Sequence, residues 1–262
     1  MTKRKNGFYP IPDIGPDVQY PSVTHIQDIL RKYQVEQWKA DIGVDYLYDN
    51  AIGPLIEGDM SMEQFREIDM PKLVSDAKYY HKYVSGEAMD FGSRMHEALD
   101  IHAKTGAYPV DPELRPMFLK IVAWQEDVKL EVIDSELMVF SRTHRFAGTM
   151  DRLVTAFKAT CPGHDYLGKR VKGIFDFKTY NGKDGKKPTI YPTWLQQIGA
   201  YVYAWEEMNG ELLDFAGILP IPREPTDDDI HPRIYQRAEL CQPIEEFIAL
   251  ANYFHITRRG KK

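Results

Sequence analysis

The chain has 262 residues, 33 basic and 39 acidic side chains, a formal net charge of −6, and is 43% hydrophobic and 27% charged. These proportions are those of an ordinary globular protein and exclude wholesale disorder or a collagen-like chain. No stretch approaches the roughly 20 apolar residues that cross a bilayer, so no membrane is expected as a partner.

At roughly 150 residues per domain the length allows one large domain or two small ones. The basic opening Met1, Thr2, Lys3, Arg4, Lys5 runs into polar, proline-rich sequence instead of an apolar signal core, so a secretory signal is not expected. Cys161 and Cys241 are too few for a disulfide framework or a four-thiolate cluster, and a reducing cytoplasm is the expected location. Pro10, Pro12, Pro16 and Pro21 make residues 1–22 an extended N-terminal arm. Residues 23–85 read as a helical region: one pattern carries Ile26, Ile29, Leu30 and Tyr33, a second covers Trp38 to Tyr48, and a tyrosine-rich one follows Pro71.

Residues 86–262 read as the core, closing with a C-terminal helix. Over Glu87 to Ala103, Ala88, Gly92, Met95, Leu99 and Ala103 recur at spacings of three and four, which predicts a helix with His96 facing inward. Asp111 and Pro112 then open a helix carrying Leu114, Met117, Ile121 and Val128, with a start one turn later at Pro116 as the alternative. From Leu130 the period changes to two, and Leu130–Phe140, Arg145–Val154 and Val171–Lys178 are predicted strands. Pro192 starts a helix in which Thr193 and Gln196 have capping-box spacing, Trp194, Ile198, Tyr201 and Trp205 form the apolar stripe, and Gly210 supplies the stop. Leu212–Ile221 is a fourth strand, and a last helix after Pro243 carries Phe247, Leu250, Ala251 and Phe254. Helices followed by strands, then helix, strand and helix, give an α/β fold with a mixed sheet flanked by helices.

In the strand Ile174, Phe175, Asp176, Phe177, Lys178, Thr179, alternation places Asp176 and Lys178 on one face and the two phenylalanines on the other. If the preceding strand pairs with it, Asp151 of Gly148-Thr149-Met150-Asp151 lies beside Asp176, and Gly148 permits a close approach. Two adjacent carboxylates repel unless a proton or cation intervenes, so a divalent metal next to Lys178 satisfies both. Each residue alone has a plainer reading. Asp176 and Lys178 could be a surface ion pair worth about 0 to 1 kcal/mol, His96 a hydrogen-bonded core residue, and Gln197 with Tyr201 a helix surface pair.

Their order along the chain is what distinguishes them: Gly92-x-x-x-His96, Gly148-x-x-Asp151, Asp176-x-Lys178, Gln197-x-x-x-Tyr201. This order resembles the PD-(D/E)XK nuclease superfamily, and within it the RecB-like branch that includes phage and mitochondrial exonucleases. The resemblance spans roughly residues 21–255. It implies a restriction-endonuclease-like fold, with Asp151, Asp176, His96 and the Phe177 carbonyl as metal ligands and Lys178 as the catalytic lysine. It further implies that Gln197 and Tyr201 support the site and contact the DNA backbone, and that Glu136 is a first-strand catalytic glutamate, with Glu131 and Asp134 as alternatives. Met150 stands where the superfamily name has proline, as is usual in this branch. The implied activity is a DNA exonuclease using Mg²⁺ or Mn²⁺ in recombination or repair, on single-stranded DNA or free ends. No Gly-x-x-x-x-Gly-Lys-Ser/Thr loop occurs, so the chain would act alone or with a helicase or single-strand annealing partner.

Thr179 and the basic loop with Lys183, Lys186 and Lys187 follow the catalytic strand and are expected to touch phosphates. Tyr180, Tyr191 and Trp194 are placed to stack on bases. The rival readings are a flap or branch endonuclease, a DNA-binding scaffold that has lost catalysis, and an iron oxygenase using His102 or His144. Neither of those histidines has the local spacing to an acid that the last requires.

Overall fold

The computed structural model describes residues 6–30, 33–156, 170–180, 188–224 and 230–258. They form two compact units: one joins the described residues up to Ile29 with those from Phe91 on, and the other is drawn from Leu30–Asp90. Among the described residues no helix is long and apolar enough to cross a membrane.

In chain order the elements are β1 (Phe8–Pro10), β2 (Gln19–Pro21), α1 (Val23–Gln27), α2 (Tyr33–Leu47), a π-helical turn (Tyr48–Ile52), α3 (Gly53–Glu57), α4 (Met62–Glu67), α5 (Met70–Thr105) and α6 (Arg115–Asp127). There follow β3 (Glu131–Ser141), β4 (Phe146–Ala156), β5 (Val171–Tyr180), α7 (Pro192–Asn209), β6 (Phe215–Pro222), β7 (Arg233–Gln236), a 3₁₀ turn (Arg237–Leu240) and α8 (Cys241–Arg258). Strands β3 to β7 form one five-stranded sheet in sequence order. It is antiparallel throughout except for the parallel β5–β6 pair, whose crossover is α7, as a parallel connection requires. The expected mixed sheet flanked by helices is the observed architecture.

Two apolar layers clothe the sheet. On one face Ile198, Val202 and Trp205 of α7, with Phe247 and Phe254 of α8 and Val23 and Ile26 of α1, pack on Phe146, Met150, Ile174 and Ile218. On the other, Phe91, Met95 and Leu99 of α5 and Phe118 and Ile121 of α6 pack on Phe175, Phe177, Phe215 and Leu219. Phe175 and Phe177 thus turn inward as alternation predicts.

Several boundaries differ from the sequence reading for identifiable reasons. The proline-rich arm is extended where it is described, but residues 8–21 fold as the β1–β2 hairpin, whose Tyr9, Ile11 and Tyr20 cover Phe140 and Ala147. The expected helix over 87–103 is the end of the 36-residue α5, because neither Gly86 nor Gly92 is enough to break it and the chain turns only at Gly106, with φ +71°. Gln196 does not form a capping box with Thr193. The α7 N-cap is Tyr191 with Pro192 in the first turn, where its missing N–H costs nothing, and Gln196 donates instead to Glu246 of α8 at 3.1 Å. Of the two starts the sequence allows for α6, the structure has the later one, with Pro116 in the first turn. Strand β7 has no sequence signature, since Arg233, Ile234, Tyr235 and Gln236 do not alternate in polarity.

Gly217 of β6 lies where an added Cβ would fall 2.2 Å from Cε1 of Phe175, so the Phe175 ring can lie across its β6 partner only because that side chain is missing. Gly217→Ala is expected to destabilise the protein by about 1–3 kcal/mol through overpacking. Urea unfolding followed by circular dichroism measures this, and an unchanged midpoint would contradict the packing.

Candidate active site

The β4–β5 ladder runs from Ala156–Val171 to Arg152–Phe175 and stops there. The next opposed residues, Asp151 and Asp176, therefore lie where the two strands separate. On the other side of β4, Ser135 pairs with Arg152 and Leu137 with Met150, which leaves Glu136 facing Asp151. A row of three carboxylates, Glu136, Asp151 and Asp176, thus crosses three adjacent strands at one level.

Strand alternation breaks at this row. Glu136 has φ +52°, a left-handed conformation that costs a non-glycine residue on the order of 1–3 kcal/mol and concentrates at functional sites. Ser135 and Glu136 consequently both reach towards α5, Ser135 through a hydroxyl that donates to Asp100 and Glu136 into a cluster with His96. Asp151 and Arg152 do the same, one meeting His96 and the other the Leu99 carbonyl.

His96, Glu136 and Asp151 each place a ligand atom within 4.8 Å of the other two. His96 Nδ1 is 3.3 Å from Asp151 Oδ1, and its ring stands edge-on to Phe177 at 5.7 Å. The other oxygen of Asp151 accepts a hydrogen bond of 2.6 Å from the Phe177 backbone N–H. Asp176 stands outside this triad as an ion pair with Lys178, Nζ lying 2.6 Å from Oδ2, although that buried oxygen accepts no well-aligned hydrogen bond among the described residues.

The expected glycines have specific jobs. An added Cβ on Gly148 would fall 2.4 Å from Cε1 of Tyr201, so the glycine is where the tyrosine ring enters. The Tyr201 hydroxyl accepts from Gln197 Nε2 at 2.8 Å, while Tyr9 and Thr149 share a bond of 3.1 Å between their hydroxyls. Tyr201 is buried, only 4% exposed, and Gln197 is half-buried beside it. On the far side, an added Cβ on Gly92 would be 3.0 Å from Thr179 Oγ1, which brings α5 close to the end of β5. Lys183, Lys186 and Lys187 lie outside the described residues.

Of the three glutamate or aspartate alternatives on β3, Glu131 is exposed and paired with Arg170, and Asp134 is exposed with its Oδ1 accepting from the Ser135 N–H at 2.7 Å. Glu136 is the one drawn to His96. Arg152, which the sequence reading passes over, lies buried beside Asp151; alternation would have sent it to the opposite face.

Charge crowding sets the acidities. Burial, reinforced by Asp151, pushes Glu136 up to about 7. Burial lifts Asp176 to about 6, with Lys178 pulling the other way and Asp151 adding to the lift. Asp151 is held below the ordinary carboxylate range: burial opposes this, but the charges of His96 and Lys178 and the Phe177 N–H outweigh it. His96 is raised because Asp151 outweighs the cost of burying its charge.

The donor set fits a divalent cation. It offers carboxylate oxygens, which suit hard divalent ions, and one imidazole nitrogen, which suits first-row transition ions, and ligand atoms about 2.1 Å from an ion would themselves lie about 3 to 4.2 Å apart in an octahedron. No family model matches the chain, and no curated protein matches it either. Several solved structures resemble it remotely. One is an alkaline exonuclease (LHK-Exo) from Laribacter hongkongensis, at 16% identity over 64% of this chain and 83% of that one, with a TM-score of 0.32. Another is SSO0001, at 11% identity over 55% of this chain and 58% of that one, with a TM-score of 0.31.

The acidities give a direction for stability. Between about pH 4.5 and 7 the folded metal-free protein keeps protons on Glu136 and Asp176 that the unfolded chain releases, so stability falls as pH rises. His96, raised, likewise loses its contribution as pH rises through its folded pKa, while Asp151, lowered, acts only below the ordinary carboxylate range. In chelator, the melting temperature is expected to be lower at about pH 8 than at about pH 5.5. His102, lowered by burial, works against this trend; differential scanning fluorimetry reads the balance, and a rise across that window would contradict the upward pKa shifts of Glu136 and Asp176.

Proposed function

We propose that the protein is a divalent-metal-dependent deoxyribonuclease of the PD-(D/E)XK superfamily, RecB-like branch, acting as an exonuclease. The observation that carries this reading is the row of Glu136, Asp151 and Asp176 across three strands, flanked by His96 and Lys178. Mutually repelling carboxylates gathered in a largely buried place are costly unless a cation or proton offsets them.

His96, Asp151, Asp176, Glu136 and the carbonyl of Phe177 would hold Mg²⁺ or Mn²⁺. The ion supplies positive charge that stabilises the phosphate's non-bridging oxygens and the leaving alkoxide, and makes water a stronger acid. Lys178, fixed by Asp176, steadies the charge that builds on the phosphate and orients the attacking water. Tyr201 holds the Gln197 amide, which faces the DNA backbone together with Thr179 and the loop lysines Lys183, Lys186 and Lys187. Single-stranded DNA or a free end is the substrate. The setting is recombination or repair in the cytoplasm, with a helicase or annealing protein supplying strands.

Asp176→Ala and Lys178→Ala are each expected to lower metal-dependent hydrolysis by at least about 100-fold while leaving the circular dichroism spectrum unchanged. A time course on end-labelled linear DNA with Mg²⁺, Mn²⁺ and chelator measures it, and Asp176→Ala with wild-type activity would sink the assignment. Laddering from one end of linear DNA, with covalently closed circles left intact, is the expected outcome for an exonuclease. Efficient cutting of the circles would replace that mode with an endonuclease.

A further inference from the structure

Arg152 is 3% exposed and follows Asp151 on β4. Its Nη2 donates to the carbonyl of Leu99, one turn beyond His96 on α5, and its Nη1 donates to the carbonyl of Asp151 at 3.4 Å. The guanidinium stands 5.5 Å from the ring centroid of Phe177, the residue of β5 whose backbone N–H holds the Asp151 carboxylate. The negative charges acting on it are Asp100, Asp151 and Glu136, and Nε has no hydrogen-bond partner among the described residues. One planar cation therefore touches the three elements that carry His96, Asp151 and the Asp176–Lys178 pair, and it lies among carboxylates from α5, β4 and β3.

Resting on the reading of the site as a metal centre, we infer that Arg152 is a positioning residue: its guanidinium clamps α5 to β4 and β5, so that His96, Glu136 and Asp151 keep ion-binding spacing before any ion arrives. A fixed cation behind the acids opposes their mutual repulsion, and a planar fork with two donors and a stacking face serves three elements at once. Lysine, a point charge on a flexible stem, supplies the charge without the fork. A merely structural buried arginine would affect folding alone. A clamp also sets ion affinity, as outer-shell partners of metal ligands do.

The structure also provides a way to test the role in place. Arg152 lines a cavity of about 670 Å³, together with His102, Val122, Gln125 and Lys129, so a small cation in solution has a route to the space left by truncation. In the full chain, Mn²⁺ binding by titration calorimetry is expected to weaken about tenfold or more in both Arg152→Ala and Arg152→Lys. Methylguanidinium should restore part of the affinity to Arg152→Ala and none to Asp151→Ala. In the same variants kcat should fall while KM for DNA stays within about twofold of wild type.

Arg152→Lys binding Mn²⁺ within about twofold of wild type would overturn the inference. It also decides the matter where Arg152→Ala does not fold, because it keeps charge and bulk. Should both unfold, Phe177→Leu removes the ring under the guanidinium and is expected to weaken Mn²⁺ several-fold; no change there overturns the clamp. A wild-type chain that binds no Mn²⁺ would sink the metal site itself, a result distinct from intact binding that ignores Arg152.

Discussion

Repulsion among acids on neighbouring strands is the constraint around which this structure is organised. Glu136, Asp151 and Asp176 come from β3, β4 and β5 at a level where the sheet stops being a regular ladder. A backbone that kept strict alternation would send successive side chains to opposite faces. The left-handed Glu136 breaks that rule, and the strain is held in place by the layers of apolar packing above and below. Local distortion and local charge density thus have one origin.

Much of this was legible in the residues. The pairing of Asp176 with Lys178 and the inward turn of Phe175 and Phe177 follow from a period of two in a strand that stays regular. The inward His96 follows from a helical stripe, and the α7 stop from Gly210, whose φ is +68°. Glu136 could not be separated from Glu131 and Asp134 by counting, because its φ reverses the parity that counting relies on. Arg152 was hidden for the same reason: alternation from Asp151 sends it to the wrong side. Elements held by tertiary contact alone, such as β7 and the hairpin over Phe140, leave too little pattern in short segments to be read.

The glycines show how small residues set the spacing between elements. Gly148 admits the Tyr201 ring, Gly217 admits Phe175, and Gly92 lets α5 approach Thr179. In each case an absent Cβ is replaced by an aromatic ring or a hydroxyl from another element, so packing density is kept while backbones draw together. Around Asp151 this leaves the acid, its imidazole partner and the Phe177 N–H with little freedom.

The parallel pairing of β5 with β6 has one more implication. Such neighbours cannot be joined by a tight turn, so a long connection must arch over the sheet, and here that arch is the helix bearing Gln197 and Tyr201. The polypeptide needed to finish the scaffold is also the polypeptide that carries the Tyr201 ring into the gap at Gly148. Shortening that crossover would therefore disturb the sheet and the packing at Gly148 together.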